Sequence, residues 1–136
     1  MKRLFLDANV LFSAAHNNEG KLAFIIELAA TGRWKIFTST FTVEEARRNL
    51  DLKYPGKILS FNKLLEKMTV VAECSGLPFP AGLTEKDRPV FQAAMSCKAT
   101  HLITGDIVHF GKYMRKPAET FGIIVMTPAQ FLNSLL

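Results

Sequence analysis

Two short apolar runs, each followed by a carboxylate, constrain this chain more than any other feature: Leu4-Phe5-Leu6-Asp7 near the start and His101-Leu102-Ile103-Thr104-Gly105-Asp106 near the end. A brief continuous apolar run bounded by polar residues or glycine is consistent with a fully buried strand. Strands buried on both faces belong to parallel sheets, whose crossover connections are usually helices. In open parallel sheets, ligands gather beyond the carboxyl ends of the strands. Asp7 and Asp106 are therefore expected at one rim of one sheet, although about one hundred residues separate them. Neighbouring strands lie roughly 4.8 Å apart. Carboxylates at adjacent strand ends can then share a divalent cation through bonds of about 2.1 Å.

Strand and helix signals alternate along the rest of the chain. Residues 3–6 read as the first strand. Leu22, Ile25, Ile26 and Ala29 recur at helical spacing over 20–32, and Gly32 closes that segment. A strand over 35–38 precedes helices over 41–53 and 57–67, and a third strand covers 68–71. Residues 75–86 hold two prolines and two glycines and read as a loop. A helix over 88–98 leads into strand 101–103. Residues 107–119 read as irregular or partly helical, and a fifth strand covers 123–125. The last helix has a full start signal: Thr127 as N-cap, Pro128 in the first turn and Gln130 in the capping-box position. This order predicts one three-layer α/β domain over residues 1–136, built on a central, mostly parallel five-stranded sheet. With 136 residues, 49% of them hydrophobic, the chain is large enough for a core and too apolar for disorder.

Composition removes several function classes. Seventeen Lys and Arg against 12 Asp and Glu give a net charge of +5, which permits a polyanionic partner without prescribing one. Cys74 and Cys97 are too few for a disulfide framework and lack zinc-knuckle spacing, so they read as reduced thiols of a cytoplasmic protein. Lys2-Arg3 and the apolar residues after them imitate a signal peptide, but Asp7 and Asn9 interrupt the stretch. No run reaches the roughly 18 apolar residues of a membrane span, so no membrane partner is expected. Neither a Walker loop nor a dinucleotide fingerprint occurs. His16, His101 and His109 are scattered outside any hydrolase pattern; His101 reads as structural and His109 as a surface histidine.

The acids carry the chemistry. Taken singly, each has a structural reading: Asp7 and Asp87 as helix N-caps, Glu44 and Glu45 as solvated helix charges, Asp106 in an Asx turn. Helical periodicity does not choose between Glu44 and Glu45. Taken jointly, the acids fall beside predicted turns: Asp7 and Asp106 both follow strands of a parallel sheet, and Asp87 opens the helix leading into the strand before Asp106. Clustered carboxylates repel by up to about 4 kcal/mol per close pair at an effective dielectric of 20, and a cation removes that penalty. All-oxygen ligation suits Mg²⁺ or Mn²⁺ rather than zinc.

Four segments in order, Leu6-Asp7-Ala8-Asn9, Glu45-Ala46-Arg47-Arg48-Asn49-Leu50, Asp87-Arg88-Pro89-Val90-Phe91-Gln92-Ala93-Ala94 and Ile103-Thr104-Gly105-Asp106, resemble the successive motifs of PIN domains. The resemblance spans nearly the whole chain. It implies a metal-dependent nuclease domain and, among family members of this size, VapC-type toxins, which are ribonucleases paired with an antitoxin. It further implies that Asp7, Glu45, Asp87 and Asp106 hold Mg²⁺ or Mn²⁺, that Asn9 orients the first carboxylate, and that Thr104 positions a water or a carboxylate. The choice of Glu45 over Glu44 comes from this register. The chain departs from the family pattern after Asp106, where Ile107, Val108 and His109 replace a further acid or Asn. The expected function is thus a Mg/Mn-dependent endoribonuclease acting on RNA, with an antitoxin and a homodimer as expected partners.

A PIN-like module that binds RNA or protein without cleaving is the alternative. A phosphatase with Asp7 as nucleophile is disfavoured because Asn9 stands where that chemistry needs an acid. Arg47, Arg48, Arg88 and Lys112 lie near the motifs and are candidates for phosphate contacts. Phe41, Leu52, Tyr54 and Phe61 are more apolar groups than two helices need to cover one sheet, so part of this set is expected to form an exposed patch for a partner.

Overall fold

Side chains alternate across a strand, so a strand that is apolar at successive positions must feed two cores. The computed structural model describes residues 1–136 and shows this arrangement. Five strands, β1 Lys2–Leu6, β2 Trp34–Ser39, β3 Thr69–Val71, β4 His101–Ile103 and β5 Ile124–Met126, form one sheet in the order β3-β2-β1-β4-β5. Every neighbouring pair is parallel. The helices are α1 Ala8–His16, α2 Lys21–Ala29, α3 Thr40–Lys53, α4 Ile58–Leu65, α5 Arg88–Ser96, α6 Ile107–Phe110 and α7 Pro128–Asn133. Leu4, Leu6, Ile36, Ile103 and Met126 enter one core with residues of α1–α4 and α7. Phe5, Phe37, Leu102 and Val125 enter the other with α5, Phe110 and Tyr113. The fold is the expected three-layer α/β architecture, with the sheet parallel throughout. Phe5 and Phe91 are wholly buried in the second core, where truncation of either to Ala costs about 3–5 kcal/mol.

The chain steps outward from β1 through β2 to β3, then returns to pair β4 with the other edge of β1. Such a reversal opens a crevice at the carboxyl ends of the two strands that flank it. The register is definite: Leu6 pairs with Ile103, and the Asp7 amide donates to the Ile103 carbonyl at 3.0 Å. Asp7 and Thr104 therefore leave the sheet side by side.

Several element ends differ from the sequence reading for identifiable reasons. Pro55 has no N–H to continue α3 and opens a 3₁₀ turn over Pro55–Lys57, and the expected 57–67 helix is the shorter α4. The 20–32 segment is helical only to Ala29, and Gly32, at φ +85°, completes the turn that follows. The last helix starts as read, with a reciprocal Thr127–Gln130 capping box. Residues 107–119 contain α6 and two 3₁₀ turns, Gly111–Tyr113 and Pro117–Glu119. Phe61 is fully buried under α3 and α4 rather than part of a surface patch, whereas Leu52 is 82% exposed. No helix is long and apolar enough to cross a membrane.

The loop between β3 and α5 is pinned to the body. Gln92 Nε2 donates to the Leu77 carbonyl at 2.7 Å, and Arg88 Nε to the Leu83 carbonyl at 3.2 Å. Leu83 itself is buried. At Gly82 a Cβ would meet Lys112 Nζ at 2.6 Å and the Tyr113 hydroxyl at 2.9 Å, so a larger residue there would displace the ends of those side chains. This anchoring delivers Thr84, Lys86 and Asp87 to the rim of the crevice.

Candidate active site

Asp7 ends β1 and caps α1, with Oδ1 accepting from the Ala8 amide at 2.8 Å. Its Oδ2 accepts from the Thr104 hydroxyl at 2.8 Å and from Asn9 Nδ2 at 3.2 Å. Thr104 Oγ1 in turn accepts from the Asp106 amide at 3.0 Å. Asn9 Oδ1 accepts from the Gly105 amide at 2.7 Å. Asn9 and Thr104 thus fasten the end of β1 to the turn after β4 and fix the Asp7 carboxylate. Burial pushes the Asp7 carboxyl up from 3.8 to about 6, and the negative charges of Glu45 and Asp87 add to it against the pull of the Thr104 and Ala8 hydrogen bonds.

Asp106 divides its oxygens: Oδ1 accepts from the His109 amide at 3.0 Å and starts α6, leaving Oδ2 to face the His109 ring. Asp87 occupies the position before α5, but its side chain does not cap the helix. Instead its Oδ2 accepts from the Thr84 hydroxyl. His109, read from the sequence as a surface residue, points its ring between these two acids. Its Nδ1 lies 2.9 Å from Asp106 Oδ2 and 3.1 Å from Asp87 Oδ2. Neither oxygen lies along the ring N–H direction, so this solvent-excluded nitrogen forms no aligned hydrogen bond. Donor atoms of Asp87, Asp106 and His109 all fall within 4.8 Å of one another.

Glu45 on α3 is half-buried and meets Lys86 Nζ at 3.5 Å, while Glu44 is exposed. Glu45, Asn9 and Asp106 line one open cleft of about 910 Å³ together with Arg48 and Lys86, beside an apolar wall of Val10, Leu22 and Leu52. Among the basic residues noted in the sequence, Arg48 alone lines this cleft. Arg47 donates to Asn62 Oδ1 at 2.9 Å, Arg88 stacks over Phe79, and Lys112 donates to the Gly82 carbonyl at 3.2 Å. Lys86 was not singled out by sequence; its only signal is its place directly before Asp87. His101 is structural, with Nδ1 2.8 Å from the Thr100 hydroxyl and its ring edge-on to Phe131.

The family model for the PIN domain matches residues 3–108, a span that contains Asp7, Glu45, Asp87 and Asp106. The chain belongs to the PIN domain family. His109 stands one residue beyond the match. Solved structures with the same fold include VapBC2 from Rickettsia felis bound to a DNA fragment from their promoter, with a TM-score of 0.66 at 15% identity over 92% of this chain and 98% of that one. VapBC-1 from nontypeable Haemophilus influenzae aligns with a TM-score of 0.60 at 17% identity, over 93% and 98% of the two chains. A PilT N-terminus domain protein from Sulfolobus solfataricus gives 0.54 at 18% identity, over 98% and 93%. At these identities the likeness is one of fold. No curated protein matches the sequence.

The residues of this PIN domain fit a divalent cation. Carboxylates from β1, α3, α5 and the turn after β4 converge, and the buried Asp7 is burdened by like charges. An orphaned ring nitrogen completes a three-donor cluster. Hard carboxylate oxygens are the donors such cations take.

Proposed function

We propose that this PIN domain, a single nuclease domain over residues 1–136, is a Mg²⁺- or Mn²⁺-dependent endoribonuclease and the toxin of a toxin–antitoxin pair. The observation that carries the reading is the convergence of Asp7, Glu45, Asp87 and Asp106 on one rim of the sheet, beside a cleft that also presents Arg48 and Lys86. The four acids hold the metal, which when bound lowers the pKa of a water and offsets charge on the scissile phosphate.

The chain's own residues supply position and charge. Asn9 and Thr104 keep the Asp7 carboxylate in one orientation through the bonds described above. Thr84 does the same for Asp87. Arg48 and Lys86 bind backbone phosphates along the cleft, Lys86 exchanging its partner Glu45 for the substrate. In-line attack of water on phosphorus, with departure of the 3′ oxygen, leaves 5′-phosphate and 3′-hydroxyl ends. The fold shared with VapBC2 and VapBC-1 supports an antitoxin partner. Exposed Leu52 on the apolar wall of the cleft offers that partner, or a second copy of the chain, a surface to cover.

The test is cleavage of single-stranded RNA by the purified protein with Mg²⁺ or Mn²⁺, compared with Asp7→Asn and Asp106→Asn. The reading requires metal-dependent cleavage with 5′-phosphate ends that both variants lose. RNA bound tightly but left intact in either metal would instead establish the non-catalytic binding module.

A further inference from the structure

We propose that His109 Nδ1 is a ligand of the metal centre, giving it one nitrogen donor and a preference for a transition cation such as Mn²⁺ over Mg²⁺. The inference rests on the nuclease reading above and extends it to the metal that this chain selects. Three observations carry it.

The first is spacing. Two donors at adjacent positions of an octahedral cation with bonds of about 2.1 Å stand roughly 3.0 Å apart. His109 Nδ1 stands 2.9 Å from Asp106 Oδ2 and 3.1 Å from Asp87 Oδ2. The second is the missing hydrogen bond. His109 Nδ1 is shielded from solvent and lies within ion-pair distance of both acids, yet makes an aligned hydrogen bond to neither. A nitrogen set between two carboxylate oxygens stands where all three donors can reach one cation.

The third is pre-organisation. Asp106 and His109 are three apart in sequence, and Asp106 Oδ1 accepts from the His109 amide at 3.0 Å, so one turn of backbone presents both groups to one side. The Thr84 hydroxyl holds Asp87 Oδ2 on the opposite flank. Partners of this kind, behind the ligands, orient metal-binding groups. Imidazole favours later first-row divalent ions, whereas Mg²⁺ keeps to oxygen and sheds water reluctantly. Exchanging a carboxylate donor for His109 therefore tilts selectivity.

The experiment pairs spectroscopy with calorimetry. Pulsed EPR of the Mn²⁺-loaded wild-type protein is expected to show hyperfine coupling to a directly bound nitrogen. Titration calorimetry is expected to show Mn²⁺ bound more tightly than Mg²⁺, and His109→Asn to lose at least about tenfold in Mn²⁺ affinity with Mg²⁺ affinity essentially retained. Absence of nitrogen coupling in the wild-type complex overturns the inference without recourse to a variant. So does an unchanged Mn²⁺ to Mg²⁺ affinity ratio in a folded His109→Asn protein. If Mn²⁺ binding depends on Asp106 but not on His109, the inference falls and the nuclease reading stands. If neither ion binds the wild type, both fall.

Discussion

The Thr104 hydroxyl donates to Asp7 Oδ2 at 2.8 Å while its oxygen accepts from the Asp106 amide at 3.0 Å. One side chain thereby sets the distance between two acids that lie 97 and 2 residues from it in sequence. Thr104→Val keeps the shape and deletes these two bonds together with the longer one that Oγ1 accepts from Asn9 Nδ2 at 3.3 Å. Leaving a buried carboxylate oxygen and an amide without this partner costs about 1–3 kcal/mol. RNA cleavage is expected to drop at least about tenfold, in line with loss of a group that orients a metal ligand, and Thr104→Ser to restore most of it. Urea melts and initial rates on the two variants check both halves.

Asp7→Asn is expected to abolish cleavage and to change the pH dependence of stability. Burial holds the folded Asp7 carboxyl at about 6 against 3.8 for the free group. Between roughly pH 4 and 6 the folded state binds more protons than the unfolded chain, so metal-free stability falls as pH rises through that window. A shift of two units corresponds to about 3 kcal/mol. The asparagine cannot ionise and escapes this loss. Melting of both proteins in chelator should show the variant gaining on wild type from about pH 4 to about pH 7.5. A melting-point difference that stays constant across that range would show that the Asp7 charge carries no folding penalty.

Glu45→Gln is expected to impair cleavage far more than Glu44→Gln. Glu45 lines the cleft and meets Lys86, whereas Glu44 is exposed. Equal rates for the two variants would remove Glu45 from the acid set.

RNA affinity should fall with salt, each phosphate contact on a single strand contributing a slope of about −0.7 in log K against log salt. Arg48→Ala and Lys86→Ala should each flatten that slope by about one contact, and Arg47→Ala should leave it alone. Arg47 is already engaged by Asn62 and by the Phe61 ring. A salt slope unaffected by Arg48 and Lys86 would place the RNA elsewhere on the surface.

The sheet was legible because parallel strands are apolar on both faces, so β1 and β4 stand out as short uninterrupted runs. The final helix was legible because Thr127 and Gln130 form a local device that needs nothing from the rest of the chain. The placement of Asp7 and Asp106 followed from their position just past the ends of two apolar strands of a parallel sheet. What was not legible depends on side-chain direction. No periodicity distinguishes Arg47 from Arg48, yet a helical step of one residue turns the first toward Asn62 and the second into the cleft. His109 read as a surface residue because four-residue α6 is too short to show a buried face. The Asp-x-x-His spacing was its one visible signal, and only the loop that carries Asp87 gives that spacing a third donor. Lys86 was hidden for the same reason, since the folded loop rather than the sequence puts it opposite Glu45.

Of the five strands the central one is made first, and its neighbour β4 follows about one hundred residues later. Pairings this distant in sequence form slowly, because the chain between them must be ordered first. During synthesis one edge of β1 can pair with β2, but the edge that brings Thr104 and Asp106 to Asp7 stays open until β4 arrives. No fragment ending before β4 can assemble the acid set, however well its helices form. The four acids are therefore brought together only as β4 docks, one of the last acts of folding, and until then the chain lacks the cluster on which the proposed cleavage depends.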